Sequence, residues 1–251
     1  LMLARGGLWL DREGATAHLS ELGATLGGRI DPNDRVGTLS LGQQQQLEIA
    51  KVMWAHPRVL VLDEPTSMLT REAVERLMAS VRELASRGVA VILVTHKLDE
   101  ALAIGDRVTV LREGRVVQHF DRSELGIENG RARALILEAM FGGALAPEMA
   151  SSDTVADRSR GLDDASPEVL RLEHVSTSGG GGGAELAEVT LSVRAGEVLG
   201  IAGIDGHGQQ HLAEVVAGQR LPMSGRVVLD GDDVTGASVR ERQRLGVRYV
   251  T

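Results

Sequence analysis

Cysteine is absent from this chain of 251 residues, and aromatic residues make up only 2% of it. Without cysteine the chain has neither disulfide bonds nor cysteine-ligated zinc, which is compatible with a reducing compartment. The sequence also lacks an apolar run of the length needed to span a bilayer. We therefore expect any contact with a membrane to be peripheral.

A cluster of basic residues is missing as well. The formal net charge is −8 and the isoelectric point lies near 5.4, so the phosphates of a nucleic acid would repel the chain as a whole. The composition therefore argues against a nucleic acid as a binding partner.

The length predicts two modest domains. Residues 142–167, GGALAPEMASSDTVADRSRGLDDASP, are rich in alanine, serine, aspartate and proline without periodicity, and we interpret them as an acidic linker between the domains. The chain opens on Leu1 rather than on methionine and stops at Thr251, directly after a strand-like run. From this we expect a fragment of a longer protein.

Helical and strand-like segments alternate in residues 1–141, which predicts an α/β fold. The apolar runs at Val59–Leu62 and in VAVILVTH, residues 89–96, are typical of strands buried on both faces of a parallel sheet. Helices are predicted over 71–87 and from Leu98 to Ile104. A strand, glycine turn and helix order returns in the second half of the chain.

Two carboxylates end the first of these strands. In VLVLDEPT, Asp63 and Glu64 lie at the carboxyl end, where the ligands of open α/β sheets bind. There Asp63 would hold Mg²⁺ through water, and Glu64 would polarise a water for attack on a phosphoryl group. For these two residues alone, the alternative is a polar cap that finishes a core strand.

The second half contains the frame of a phosphate-binding loop, GIDGHGQQ. Two glycines have the spacing of a P-loop, but glutamines stand where such a loop has lysine and a hydroxyl residue. Successive backbone N–H groups still form an anion cradle in such a turn. The residues expected to contact the nucleotide are Gly203, Gly206, His207, Gly208, Gln209 and Gln210. His207 and His211 have a metal-like spacing, but no third ligand is apparent, and we interpret them as loop and helix-surface residues.

Three motifs resemble, in order and approximate spacing, those of the ATP-binding cassette (ABC) proteins. LSLGQ at 39–43 resembles the signature motif, VLVLDEPT at 59–66 the Walker B strand, and VTHKLDE at 94–100 the segment of the switch histidine. The resemblance implies P-loop NTPase cassettes, with residues 1–141 as the C-terminal part of a first cassette and 168–251 as the N-terminal part of a second. This layout is similar to the double-cassette ATPases of simple-sugar and nucleoside importers.

The resemblance also assigns roles to residues. His96 would contact the γ-phosphate of ATP and help to settle the attacking water beside Glu64. Ser40, Gly42 and Gln43 would meet the γ-phosphate of a nucleotide held by the opposing cassette, where a helix N-terminus favours an anion. Ser40 and Gln43 also have the spacing of a capping box, which predicts a helix start at Ser40.

Two positions depart from the family pattern. Leu41 stands where the common signature has glycine, and Thr70 stands where the loop after Walker B usually carries aspartate. The first weakens close backbone approach to phosphate, and the second puts the usual contact across the cassette pair in doubt.

The implied function is ATP hydrolysis, with ATP and Mg²⁺ bound, that energises import of simple sugars or nucleosides. The implied partners are transmembrane permease subunits and, through them, an external substrate-binding protein, with the cassettes paired at the cytoplasmic face of the membrane. Glu64 and His96 would then serve a phosphate loop upstream of Leu1, so we expect little ATPase activity from this chain alone. The alternatives are a soluble double-cassette ATPase that acts on ribosomes and a nucleotide-gated scaffold without transport.

Overall fold

The computed structural model describes most of the chain. The described residues are Gly14, Thr16, Ala17 and Asp31, and the ranges 33–39, 41–67, 69–125, 129–142, 166–178, 184–204 and 206–250. The middle of the predicted linker, Ser40 and most of the helix predicted near the start of the chain lie outside these residues. The division of the chain at 142–167 therefore stays a prediction.

Helices and strands alternate through the first half as the apolar pattern predicts. After a short 3₁₀ turn at Val36–Thr38, the elements are α1 (Leu41–Trp54), β1 (Val59–Asp63), α2 (Arg71–Ser86), β2 (Ala90–Thr95), α3 (Leu98–Ile104), β3 (Arg107–Arg112), β4 (Arg115–Asp121), α4 (Arg122–Leu125) and α5 (Asn129–Phe141). The predicted strands and helices are confirmed to within one residue at most ends.

The second half begins with strands and ends on one. Its elements are β5 (Glu168–Ser176), β6 (Val189–Arg194), β7 (Val198–Ala202), α6 (Gln209–Ala217), β8 (Ser224–Leu229), β9 (Asp232–Asp233), α7 (Val239–Arg244) and β10 (Val247–Val250). Among the described residues, no helix combines the length and the apolarity that a membrane span requires.

Strands from both halves form one sheet. Its order is β10-β1-β2-β7-β3-β4, and all neighbours are parallel except β3 and β4, which form a hairpin. The sequence predicts that the phosphate loop after β7 belongs to a different cassette from β1 and β2, whereas here β7 lies directly beside β2. The physical reason is burial: every residue of β7 is buried, and an apolar strand of this kind needs a paired strand on each side.

Polar contacts reinforce the join between the halves. The Arg107 guanidinium lies 2.9 Å from the Glu197 carboxylate, and Asp106 accepts a hydrogen bond from the Val198 N–H at 2.9 Å. Burial raises the pKa of Glu197, and the positive charge of Arg107 opposes that rise. These contacts fix the start of β7 against β3.

Both faces of the six-stranded sheet are covered. On one face, α1 and α2 pack against buried side chains of β1 and β2, including Leu60, Leu62 and Leu93. The other face packs against α6 and against a four-stranded antiparallel sheet of order β6-β5-β8-β9. A third cluster joins α3 and α5 to β3. This layered core leaves the ends of the strands as the place for polar side chains.

Candidate functional site

Three neighbouring strands end side by side at one edge of the sheet. Asp63 at the end of β1 is paired with Val94, and Thr95 at the end of β2 is paired with Ala202, the last residue of β7. Because the strands are parallel, the residues that follow them emerge at the same edge. Those residues are Glu64, His96 and Gly203.

Glu64 and His96 are in direct contact. The His96 Nδ1 atom lies 2.7 Å from Glu64 Oε1, and the side chains are 46% and 39% exposed, respectively. An ionised carboxylate only accepts hydrogen bonds, so a Glu64 anion requires the hydrogen of this contact to be on Nδ1. The pair predicted from the two strand ends is therefore assembled and open to solvent.

Backbone geometry turns Glu64 toward the histidine. Its φ angle is +46°, in the left-handed region that a glutamate rarely adopts, and its N–H donates to the Val94 carbonyl at 2.9 Å. A residue holds such a conformation only when its surroundings fix it, at a cost of about 1 to 3 kcal/mol. The turn after β1 is thus a constrained one.

Asp63 faces the edge strand β10. Its Oδ2 accepts a hydrogen bond from the Tyr249 hydroxyl at 3.0 Å. Burial raises the pKa of Tyr249 well above its ordinary value, and the Asp63 charge and this hydrogen bond raise it further. The phenol therefore stays neutral and donates to the carboxylate, a contact that the sequence analysis did not foresee.

The loop after β7 has the backbone of an anion cradle. Gly206 and Gly208 have φ angles of +80° and +104°, and a Cβ at Gly208 would lie 3.0 Å from the Cα of Gly114. The loop's carbonyl groups face inward: Gly206 accepts from the Ala184 N–H at 2.7 Å and His207 from the Gly114 N–H at 2.9 Å. In the described part of the chain, no hydrogen bond uses the N–H groups of Gly206, Gly208 or Gln209. These donors are available to phosphate oxygens.

The side chain of Gln209 turns back under the loop. It is 7% exposed, its amide donates to the Ile204 carbonyl at 2.9 Å, and a Cβ at Gly203 would lie 2.5 Å from its Nε2 atom. Gln210 is exposed and donates to Glu214 at 3.0 Å. Both amides thus bond to the protein, and neither brings a positive charge to the cradle.

Two stretches of the chain, residues 10–67 and 186–251, match the ABC transporter family. Both stretches belong to that family. Together with the α/β sheet and the loop at its edge, the match confirms the resemblance and the P-loop NTPase fold class that the sequence motifs predicted.

Relatives of this chain are named as import ATP-binding proteins for several solutes. A glucose import ATP-binding protein of Haloferax volcanii is 40% identical over 232 residues, which are 92% of this chain and 40% of that protein. A putative ribose/galactose/methyl galactoside import ATP-binding protein of Burkholderia cenocepacia is 34% identical over 98% of this chain and 44% of its own length. A nucleoside import ATP-binding protein of Lactococcus lactis is 32% identical over 97% of this chain and 45% of its own length.

The chain therefore spans less than half the length of the curated relatives it matches.

The segment predicted to be the signature motif leads into α1. Gly42 and Gln43 are in the first turn of that helix, which begins at Leu41. Ser40 lies outside the described residues, so its contact with a nucleotide stays a prediction.

The prediction that His211 lies on the helix surface was wrong. His211 is 2% exposed rather than on the helix surface, and its Nδ1 lies 3.0 Å from the hydroxyl of Thr177. Among the described residues, neither its Nε2 nor the Nδ1 of His207 has a hydrogen-bond partner. Within the part of the chain that the structure describes, no group of three or more potential metal ligands occurs.

Proposed function

We propose that this ABC chain binds ATP at the carboxyl edge of its six-stranded sheet and takes part in hydrolysing it to energise import of a simple sugar or a nucleoside. The observation that carries the proposal is the 2.7 Å contact between His96 and Glu64, at the ends of adjacent strands and beside the loop that follows β7. Core strands bring a base and an imidazole together where phosphate donors are available.

Glu64 is the group that accepts the proton of the attacking water. Its side chain is partly exposed, and the His96 Nδ1 atom lies 2.7 Å from one of its oxygens. The other oxygen remains for a water aligned with the terminal phosphate. His96 fixes the direction of the carboxylate and presents its second ring nitrogen toward the phosphate.

The chemistry of Asp63 fits a magnesium site that supplies charge neutralisation at the phosphates. A carboxylate oxygen is a ligand that Mg²⁺ prefers, and contact through water suits an ion that dehydrates reluctantly. The Tyr249 hydroxyl orients that carboxylate from the edge strand. The hydroxyl ligand usual in a phosphate loop is missing, because Gln210 occupies its position.

The loop contributes backbone donors but no charge. A charge-assisted hydrogen bond is worth about 1.5 to 3 kcal/mol, and the Gln209 amide, which bonds to Ile204, does not replace it. We therefore expect phosphate to bind weakly here, so that little of the chain carries nucleotide and turnover is low at a given ATP concentration. A second cassette that presents its signature to the loop would complete the site.

The import role rests on the relatives, which are named as import ATP-binding proteins for glucose, for ribose and galactose, and for nucleosides. We infer that the chain works at the cytoplasmic face of a membrane, with permease subunits as its direct partners and an external substrate-binding protein on the far side. These names favour transport over action on ribosomes and over a scaffold that does not hydrolyse ATP.

Release of phosphate from radiolabelled Mg-ATP tests the catalytic part of the proposal. Glu64→Gln keeps the shape of the side chain but removes the base, so we expect turnover to fall by about 100-fold or more. Glu188→Gln is the matched control, because Glu188 is an exposed glutamate that also has a positive φ angle, +52°. Equal turnover in both variants would remove Glu64 from the reaction.

The transport part needs a separate measurement. Permease subunits that co-purify with the chain, and ATP-dependent uptake of a sugar or nucleoside into vesicles that contain them, are the expected results. Co-sedimentation with ribosomes in place of permease would favour the alternative function.

A further inference from the structure

A buried polar cluster lies next to the Glu64–His96 pair. It consists of Thr66, two residues after Glu64, Thr95, which directly precedes His96, and Glu100 and Lys97. Thr66 and Thr95 are each 2% exposed and Glu100 is 9% exposed. Buried charge in a fold is retained only when its neighbours satisfy it, so the contacts of Glu100 are informative.

Glu100 accepts hydrogen bonds from both segments that carry the pair. The Thr66 hydroxyl lies 2.7 and 2.8 Å from its two carboxylate oxygens, and the Thr95 hydroxyl lies 3.2 Å from Oε2. One carboxylate thereby joins the turn after β1 to the end of β2. This connection adds to the β1–β2 pairing and to the backbone hydrogen bond from Glu64 to Val94.

Lys97 closes the cluster. Its ammonium lies 3.5 Å from Glu100 Oε1 and donates to the Thr66 hydroxyl oxygen and carbonyl at 3.1 and 3.3 Å. The Lys97 N–H also donates to the Thr95 hydroxyl oxygen at 3.0 Å. The carboxylate therefore has an ammonium group beside it, and each hydroxyl donates to it.

We propose that Glu100 is a positioning residue, which sets the separation of Glu64 and His96 by holding Thr66 and Thr95 at fixed points. The inference rests on the proposed function and adds a residue to it. The backbone between each threonine and its catalytic neighbour is short, so a shift of either threonine is passed on to Glu64 or His96. The constrained turn at Glu64 needs such a restraint.

The test compares Glu100→Ala with Glu100→Gln and with the control Asp99→Asn, all in the full chain. Glu100→Gln keeps a hydrogen-bond acceptor, while Asp99 is an exposed acid on the same turn of α3 whose partner is Arg133. A misplacement of about 1 Å can cost up to 100-fold in rate, so we expect the turnover number to fall at least tenfold in Glu100→Ala with KM within twofold. Glu100→Gln should restore part of the rate, and Asp99→Asn should have no effect.

A second measurement reads the position of the pair without catalysis. In the chain labelled with ¹⁵N-histidine, the His96 Nδ1 signal is assigned by its loss in His96→Gln. We expect Glu100→Ala to move this signal toward its position in Glu64→Gln, since both changes weaken the same hydrogen bond. Thr66→Val, which removes one hydroxyl and no charge, should move it part of the way and covers the case in which Glu100→Ala does not fold.

The outcomes separate the two proposals. If Glu64→Gln leaves turnover unchanged, the proposed function fails, and the nuclear magnetic resonance signal still decides the role of Glu100. If Glu64→Gln stops turnover but Glu100→Ala changes neither the rate nor the His96 signal, the positioning role is overturned. A lower rate with an unmoved signal also overturns it.

Discussion

The ends of β1 and β2 lead into reactive side chains, Glu64 and His96. The end of β7 leads into the backbone of a phosphate loop that lacks the usual lysine and hydroxyl side chains. Glu64 and His96 are in contact and partly exposed. At β7 the glycine turns and the N–H groups of a phosphate loop are present, but Gln209 and Gln210 bond to the protein itself. The same edge of one sheet therefore carries a contacting pair of reactive side chains and a loop that offers only backbone donors.

The difference shows that the two regions depend on different forces. The Glu64–His96 contact depends on side-chain hydrogen bonds that a single substitution removes. The loop depends on backbone carbonyls fixed by the β3–β4 turn and by Ala184, which most side-chain changes leave intact. Loss of charge at the loop is thus compatible with an unchanged fold.

The largest effect we predict is the loss of stability when Arg242 is replaced, because its side chain supports α6, the helix that follows the loop. Arg242 is 1% exposed and its guanidinium donates to the carbonyls of Val215, Val216, Val234, Thr235 and Ala237. Arg242→Met removes a donor from each of these carbonyls, although Val215 and Val234 still accept from the N–H groups of Gly218 and Ala237. We expect a loss of about 3 kcal/mol in the free energy of unfolding, measured in urea. The exposed Arg240→Met is the control. A loss below about 1 kcal/mol, the range of one ordinary hydrogen bond, would contradict this account.

A gain of nucleotide affinity would sharpen the comparison. Gln209→Lys combined with Gln210→Ser restores the charge and the hydroxyl, and we expect Mg-ATP to bind at least about tenfold more tightly, as 1.5 to 3 kcal/mol implies. Gln219→Lys, which adds the same charge just after the far end of α6, is the matched control. Equilibrium dialysis measures the dissociation constants.

The same double variant decides whether loop and catalytic pair form one site. If they do, its turnover rises with affinity and falls again when Glu64→Gln is added. Tighter binding with unchanged turnover would mean that Glu64 and His96 act on a nucleotide held by another loop, as the sequence motifs predict.

The sequence was sufficient to predict the strands and side chains that a local residue pattern determines. The apolar runs of β1 and β2 and the acid and histidine that follow them were predictable, because burial on both faces and a polar strand end leave a direct mark. The pairing of β7 with β2 was not, since an apolar strand carries no record of which neighbour it joins. The sequence did not indicate the buried contacts of Glu100 either, because an acid in the first turn of a helix is an ordinary favourable charge.

His211 shows the same limit, because its burial depends on Thr177, which lies 34 residues away in the sequence. Its burial comes from tertiary packing, which the helical spacing of the sequence does not indicate. A buried imidazole should affect stability through its protonation, which the sequence position alone could not indicate.

The smallest effect we predict is the pH dependence that His211 imposes on the half of the chain that carries the loop. Burial lowers the pKa of His211 below the ordinary 6.5, and the Arg220 charge lowers it further, while Glu214 and Glu185 oppose the shift. The folded state therefore binds a proton less readily than the unfolded one. The contribution of neutral His211 to the stability of the fold is intact above pH 6.5. It is lost as the pH falls from 6.5 through the lower pKa of the folded state.

Denaturant unfolding between pH 5 and pH 7.5 measures this effect, which for one group is at most about 1.4 kcal/mol per pH unit. His211→Gln keeps a neutral partner for the Thr177 hydroxyl, so we expect a shallower loss of stability toward low pH than in the unmodified chain. His174→Gln, at an exposed position on β5, should leave the slope unchanged. Equal slopes in all three chains would mean that His211 takes up its proton as readily in the folded chain as in the unfolded one. Burial of this imidazole would then impose no pH dependence on stability.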